Sequence, residues 1–328
     1  MAHNPSRSYP AKKTKSPGPT SPIEGETAAW LFPGQGSQHA GMGRDLFESS
    51  PAARRVFEDG DRILGRPLSE LCFKGPEDVL RRTENAQPAI MVMSLACLAF
   101  AQESGYLCSL PAYVAGHSLG EYTAAVAGGA LSFADGLRLV QERGRLMQRA
   151  GEENPGTLAA VLGLTEGQAI ELCRCVGAEL CNLNAPGQIV IGGTHGCVAE
   201  AAETCRSFGA KRAVPLNVSG AFHTSLMAPA VEGMRAALAA VEIRDPVVAL
   251  VANGTARVIT SGEELRSELL YQLTHAVLWQ RSVELMAEKG VSLFIEIGPG
   301  KVLTGLVRRT LPSARTLNLN RAIVPAEG

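Results

Sequence analysis

An α/β fold carrying a small inserted α+β subdomain is what this sequence predicts, and three observations predict it. An apolar run, Tyr113-Val114-Ala115, ends in Gly116-His117-Ser118-Leu119-Gly120 and passes straight into helix-forming residues 121–127. That is a strand, a sharp turn and a helix, with a serine at the apex. Apolar strand-like runs recur at 28–32, 247–252 and 293–297 with helical stretches between them, the alternation of a parallel sheet. Between Pro155-Gly156 and Pro215 the texture changes to β-α-β-β-α-β, the order of a ferredoxin-like unit.

Composition narrows the function classes. The chain has 328 residues, long enough for about two structural units, with 45% hydrophobic and 19% charged residues and a formal net charge of -1. Nothing in that balance points to nucleic acid or a membrane surface. No uninterrupted apolar stretch approaches the roughly 20 residues a spanning helix needs. The eight cysteines show no paired metal-ligand spacing, so no metal site is expected. They read as reduced, mostly buried thiols of a cytoplasmic protein, with Cys173 and Cys175 on different faces of one helix.

Residues 1–26 are rich in Pro, Ser, Lys and Thr and lack apolar periodicity, so a disordered extension is expected there. They also lack the apolar region of a signal peptide. The fold starts at Ala28-Ala29-Trp30-Leu31-Phe32, a buried strand, and runs into the loop Pro33-Gly34-Gln35-Gly36-Ser37-Gln38. This loop has no Gly-Lys-Ser/Thr ending, which argues against nucleotide hydrolysis. Helical patterns follow at 44–64 and 77–83. Gln87-Pro88-Ala89 then opens a long apolar helix over 90–104.

After the serine turn, Ser132 and Asp135 mark the start of a helix over 133–150 that carries Arg143 between apolar stripes. Arg143 suits either a solvated pair with Glu142 or Glu121, or a guanidinium reaching inward to grip an anion in a two-point fork. The subdomain has predicted strands at 157–163, 179–184, 188–192 and 210–215 and helices at 165–176 and 194–208. The large body is therefore expected over 27–155 and 216–328, interrupted by the subdomain at 156–215. Beyond it, His223 falls in a polar turn before a helix at 227–240. As a lone loop histidine it suits a surface position as well as a catalytic one. The stretch 269–278 holds Gln272 and His275, and Gly298-Pro299-Gly300-Lys301 opens a C-terminal helix.

Ser118 has two readings. The turn lifts its hydroxyl over a helix N-terminus, where free N–H groups favour developing negative charge; equally, such a serine can merely cap the helix. Five stretches in order tip the balance. Gly34-Gln35-Gly36-Ser37-Gln38, Gly116-His117-Ser118-Leu119-Gly120, Arg143, Gly220-Ala221-Phe222-His223 and Gly298-Pro299-Gly300-Lys301-Val302-Leu303 together resemble the malonyl-CoA:acyl-carrier-protein transacylases. These are acyltransferases of fatty-acid and polyketide synthesis. The resemblance runs from about Ala28 to Arg309.

It implies a large hydrolase-like α/β body with a ferredoxin-like subdomain. It also implies malonyl transfer from malonyl-CoA to an acyl carrier protein, by a ping-pong scheme through a malonyl-serine ester and with no bound cofactor. Ser118 would be the nucleophile and His223 its base, oriented by the main-chain carbonyl of Gln272. Backbone N–H groups of Gln35 and Leu119 would form the oxyanion hole. Arg143 would clamp the malonyl carboxylate, and Phe222 matches the malonyl-selecting form of the family. A monomer is expected. So is a basic docking patch for an acidic carrier protein, drawn from Lys211, Arg212, Lys301, Arg308 and Arg309.

Two alternatives are kept. A thioesterase of the α/β-hydrolase type could use Ser118, Asp245 and His275 in that chain order. A non-catalytic carrier-binding module would keep the fold without the chemistry.

Overall fold

The computed structural model describes residues 25–322. All but Gly25 and Glu26 of the expected disordered extension therefore lie outside the described residues.

Strand β1 (Ala28–Phe32) is buried at every position, as its unbroken apolar run requires of a strand covered on both faces. It pairs in parallel with β2 (Tyr113–Gly116), where Trp30 faces Val114. The chain between them holds the helices Pro51–Leu64 and Thr83–Glu103. Strands β3 (Thr157–Leu162), β4 (Glu179–Ala185), β5 (Gln188–Gly193) and β6 (Arg212–Pro215) make a second sheet in the order β4-β5-β3-β6. All of its pairings are antiparallel, and the helices Glu166–Val176 and His195–Thr204 complete the ferredoxin-like order.

The chain then returns to the first sheet through β7 (Leu250–Val251), β8 (Val258–Ile259), β9 (Leu293–Ile297) and β10 (Arg315–Leu319). That sheet runs β10-β9-β1-β2-β7-β8 and is parallel except for β8.

Alternate residues of β1 feed opposite cores, as strand geometry dictates. Trp30 and Phe32 join the larger core with Phe57, Met91 and Val140, whereas Ala29 and Leu31 join Val283, Phe294 and Val307 on the other face. The small sheet is two-faced as well. Ala159, Val161, Ile189 and Ile191 pack under its helices, while Leu158, Cys181 and Val190 pack against Ala221 of the segment that re-enters the large body. A parallel bridge from Asn182 of β4 to Val277, in the chain between β8 and β9, ties the small sheet to the large body. This seam is where the candidate site lies.

The structure departs from the sequence expectations at several places. The helix expected over 44–64 is broken at the extended Ser50 into Arg44–Ser49 and Pro51–Leu64. The helix expected from Ile90 begins at Thr83, and Pro88 sits inside it rather than at its start. The strand expected over 247–252 shrinks to two residues, because the N–H groups of Val247 and Val248 both turn to the Gly128 carbonyl. Edge strand β10 was not anticipated; its Arg-Thr-Leu-Asn-Leu text is half polar, as an edge exposed on one side allows. All eight cysteines are free and five are buried, with Cys173 inside and Cys175 outside. Among the described residues no helix is long and apolar enough to cross a membrane.

Candidate active site

The turn after β2 is fixed by backbone packing. A Cβ on Gly116 would lie 1.9 Å from the Gly120 carbonyl, and one on Gly120 would lie 2.1 Å from the Phe32 oxygen, so neither position admits a side chain. Ser118 itself takes a left-handed backbone, φ 53°, which a non-glycine residue adopts only where its surroundings enforce it. Asn253, just past β7, does the enforcing. Its Oδ1 accepts from the Ser118 N–H at 2.7 Å and its Nδ2 donates to the Gly116 carbonyl at 2.7 Å. Its own N–H donates to Glu121 Oε1 at 2.9 Å.

His223 enters from the segment that leaves the small sheet, packed there by Ala221 beneath β3 and β4. Its Nε2 lies 2.8 Å from Ser118 Oγ and its Nδ1 lies 2.6 Å from the Gln272 carbonyl oxygen. A carbonyl only accepts, so the proton sits on Nδ1 and Nε2 is left to take the serine proton. Burial, and then the nearby Arg143 charge, push the His223 pKa down to about 3. The imidazole is therefore neutral throughout the neutral range.

One prediction follows from linkage. The unfolded chain protonates this histidine near 6.5 and the folded one near 3, so the unfolded state binds the extra proton between those values. Stability present above 6.5 is lost as pH falls through that window, by up to about 1.4 kcal/mol per pH unit. Denaturation midpoints should fall more steeply with acid for the wild type than for His223→Gln; parallel curves would contradict the assignment.

Arg143, on the helix Phe133–Glu153, is 1% exposed. It donates through Nη1 to Gln87 Oε1 at 2.8 Å, and through Nη2 to Gln272 Oε1 at 2.7 Å and to Ser118 Oγ at 3.2 Å. The solvated pairing with Glu142 does not form; Glu142 holds Arg145 instead. Burial works against the Arg143 charge, partly offset by Tyr122, whose ring lies 5.5 Å from the guanidinium, and by Glu121.

Gln272 gathers the pieces. Besides receiving His223 and Arg143, it donates through Nε2 to the Ser118 carbonyl at 3.1 Å and to Glu121 Oε2 at 2.9 Å. Glu121 is fully buried, and burial followed by the neighbouring Glu268 raises its pKa well above the carboxylate norm.

The loop after β1 abuts this turn: a Cβ on Gly34 would lie 2.5 Å from the His117 carbonyl oxygen. Its Gln35 side chain donates to Thr83 Oγ1 at 3.1 Å. Among the described residues neither the Gln35 nor the Leu119 backbone N–H donates to a protein acceptor. Phe222 is buried in the larger core beside His223. His117 crosses the seam, its Nε2 lying 2.8 Å from Asn184 Oδ1 of β4. A cleft of about 380 Å³, lined by Ile170, Arg174, Glu179, His223, Thr274 and His275, leads to the histidine.

The thioesterase arrangement is not assembled. His275 is exposed, bonds through Nδ1 to the Tyr271 carbonyl at 2.8 Å and stacks on the Tyr271 ring at 3.5 Å. Asp245 accepts from the Gly262 N–H at 2.9 Å instead of orienting an imidazole. Sequence reasoning missed Gln87, Asn253, Glu121 and the side chain of Gln272. The available signal was a single polar letter in an apolar context, as in Leu250-Val251-Ala252-Asn253 at the carboxyl end of a parallel strand, where sites in such sheets gather.

The arrangement offers a serine hydroxyl, a neutral base, two free backbone donors and a cation in one place. The sequence profile described as "Acyl transferase domain" matches residues 29–326. The chain is 45% identical over 294 residues to the malonyl CoA-acyl carrier protein transacylase of Bacillus subtilis (strain 168), covering 88% of this chain and 92% of that one. It is 40% identical over 296 residues to the protein of the same description from Escherichia coli (strain K12), covering 89% and 95%. Its fold is similar to the acyl-carrier-protein-S-malonyltransferase of Bartonella henselae, with TM-score 0.86, 43% identity and coverage of 90% and 96%.

Proposed function

The chain belongs to the acyl transferase domain family, and from that footing we propose that Ser118 carries a malonyl group from malonyl-CoA to the phosphopantetheine thiol of an acyl carrier protein. The observation that carries this reading is one oxygen with two partners. Ser118 Oγ lies 2.8 Å from the base His223 and 3.2 Å from the cation Arg143.

The scheme is ping-pong. Ser118 Oγ attacks the thioester carbonyl while its proton passes to His223 Nε2, and the carbon–oxygen bond forms. The tetrahedral oxyanion lies between the N–H groups of Gln35 and Leu119, where each donor is worth about 3–4 kcal/mol. The carbon–sulfur bond then breaks, and His223 returns the proton to the departing coenzyme A thiolate. The carrier thiol reverses these steps, so one site serves both halves. Arg143 binds the free carboxylate of the malonyl group, and Phe222, next to His223, favours malonyl over methylmalonyl, a preference for one methyl worth about 1–3 kcal/mol. No bound cofactor enters the scheme. Every group named comes from one chain, so a monomer suffices. A cytoplasmic setting suits the eight free thiols.

The test is incubation with malonyl-, methylmalonyl- and acetyl-CoA followed by intact mass. A malonyl ester on Ser118, formed in preference to the others, is expected; an unlabelled protein would defeat the reading. For the carrier protein, the candidate basic residues Lys211, Arg212, Lys301, Arg308 and Arg309 are all exposed. Arg309 Nε donates to the Pro186 carbonyl at 3.1 Å, and Gly163, against which Lys211 lies, donates to the Gly187 carbonyl at 2.8 Å. Arg309 thus sits on the β4–β5 turn, and Lys211 lies beside Gly163, which bonds to that turn. Transfer at subsaturating carrier protein should fall steeply with added salt, and a flat response would remove the patch.

A further inference from the structure

Arg143 is the only arginine or lysine in the buried class among the described residues, and no carboxylate oxygen of those residues lies within 4.0 Å of it. Buried charges are normally paired, because removing an ion from water without a counter-ion is costly. Here two neutral amide oxygens hold it instead, Gln87 Oε1 at 2.8 Å and Gln272 Oε1 at 2.7 Å. Its Nε has no partner. The nearest carboxylate stops one side chain short: Glu121 Oε2 accepts from Gln272 Nε2 at 2.9 Å, so the Gln272 amide stands between the two charges.

Both amides are fixed in orientation. Gln272 Nε2 is committed to Glu121 and the Ser118 carbonyl, and Gln87 Nε2 lies 3.5 Å from Met147 Sδ. Flipping either would turn an NH₂ group toward the guanidinium, donor against donor. An amide oxygen accepts the same hydrogen bond that a carboxylate would, but it cancels no charge.

We propose that Gln87 and the side chain of Gln272 determine acyl specificity: they position Arg143 with neutral oxygens and so reserve its charge for an acyl group with an anionic far end. This rests on the malonyl-transfer reading above. A glutamate at position 87 would keep the geometry and satisfy the cation internally. An incoming carboxylate would then meet a completed ion pair and a like charge. A neutral acyl group would no longer be penalised for leaving the guanidinium unpaired.

The test compares ester formation from malonyl-CoA and acetyl-CoA, as kcat/KM, in the wild type, Gln87→Glu and Gln87→Met, with thermal midpoints alongside. In Gln87→Glu the malonyl-over-acetyl preference should fall by about 100-fold or more, acetyl loading showing that the protein is folded. Gln87→Met, which removes the hydrogen bond but adds no charge, should slow malonyl and acetyl loading alike, by about tenfold, because Arg143 also bonds Ser118 Oγ, and so keep the preference. A wild-type preference in Gln87→Glu, or an equal loss of preference in Gln87→Met, overturns the proposal. Should the glutamate variant not fold, the methionine variant still decides. Retained preference with both rates lowered, at a near-native midpoint, supports the proposal; unchanged rates or a lost preference refute it. A wild type that loads malonyl and acetyl groups equally would instead defeat the functional reading.

Discussion

A Ser118→Ala enzyme is expected to carry no acyl group after incubation with malonyl-CoA, and a His223→Ala enzyme to acquire one about 100- to 10,000-fold more slowly than the wild type. The first removes the only oxygen that the geometry places between base and cation. The second leaves the hydroxyl bonded to Arg143 alone, and a guanidinium cannot take a proton. Because the two residues act as a unit, the double variant should be no worse than Ser118→Ala. Rapid-quench measurement of ester formation separates these outcomes. Loss of acylation in His275→Ala with retention in His223→Ala would revive the thioesterase reading that the exposed, Tyr271-stacked His275 now opposes.

Arg143→Ala should invert the choice of substrate. Malonyl loading is expected to fall roughly 100- to 1000-fold, the scale of breaking a buried ion pair, while acetyl loading persists. The substitution also frees Gln87 and Gln272 from a common partner, so a modest drop in thermal midpoint should accompany it. The decisive reading is the ratio of the two acyl groups in the intact mass. A ratio equal to that of the wild type would mean that Arg143 serves the turn rather than the substrate.

How much of this was legible in the sequence depends on how local each signal is. The serine turn could be read because two glycines and an apolar run sit within a few residues of Ser118. The ferredoxin-like order could be read because Thr165 and Thr194 cap its helices and Gly187 turns its hairpin, φ 68°. The start of the Thr83–Glu103 helix could not, because Pro88 signals a beginning and the packed neighbours override it. The polar network is harder still. Arg143 meets Gln272 across 129 positions, and Asn253 meets Glu121 across 132. No periodicity relates such partners; only the closure of the β1-β2-β7 region brings them together. A lone glutamate after the turn and a lone asparagine after a strand look like ordinary polar letters until that happens.

The reacting residue is held by close main-chain packing and one side-chain amide: a glycine against a glycine, a glycine against the first strand, and Asn253 Oδ1 accepting from a left-handed residue. Arg143 and Phe222, which we propose read the acyl tail, come from other elements and present side chains. Taste and reactivity share one contact, Arg143 Nη2 on Ser118 Oγ, but the backbone that sets the position of the oxygen is built without it. Mutational drift can retune which acids are accepted while the ester-forming atom stays in register, whereas the smallest methyl added at Gly116 or Gly120 would end both.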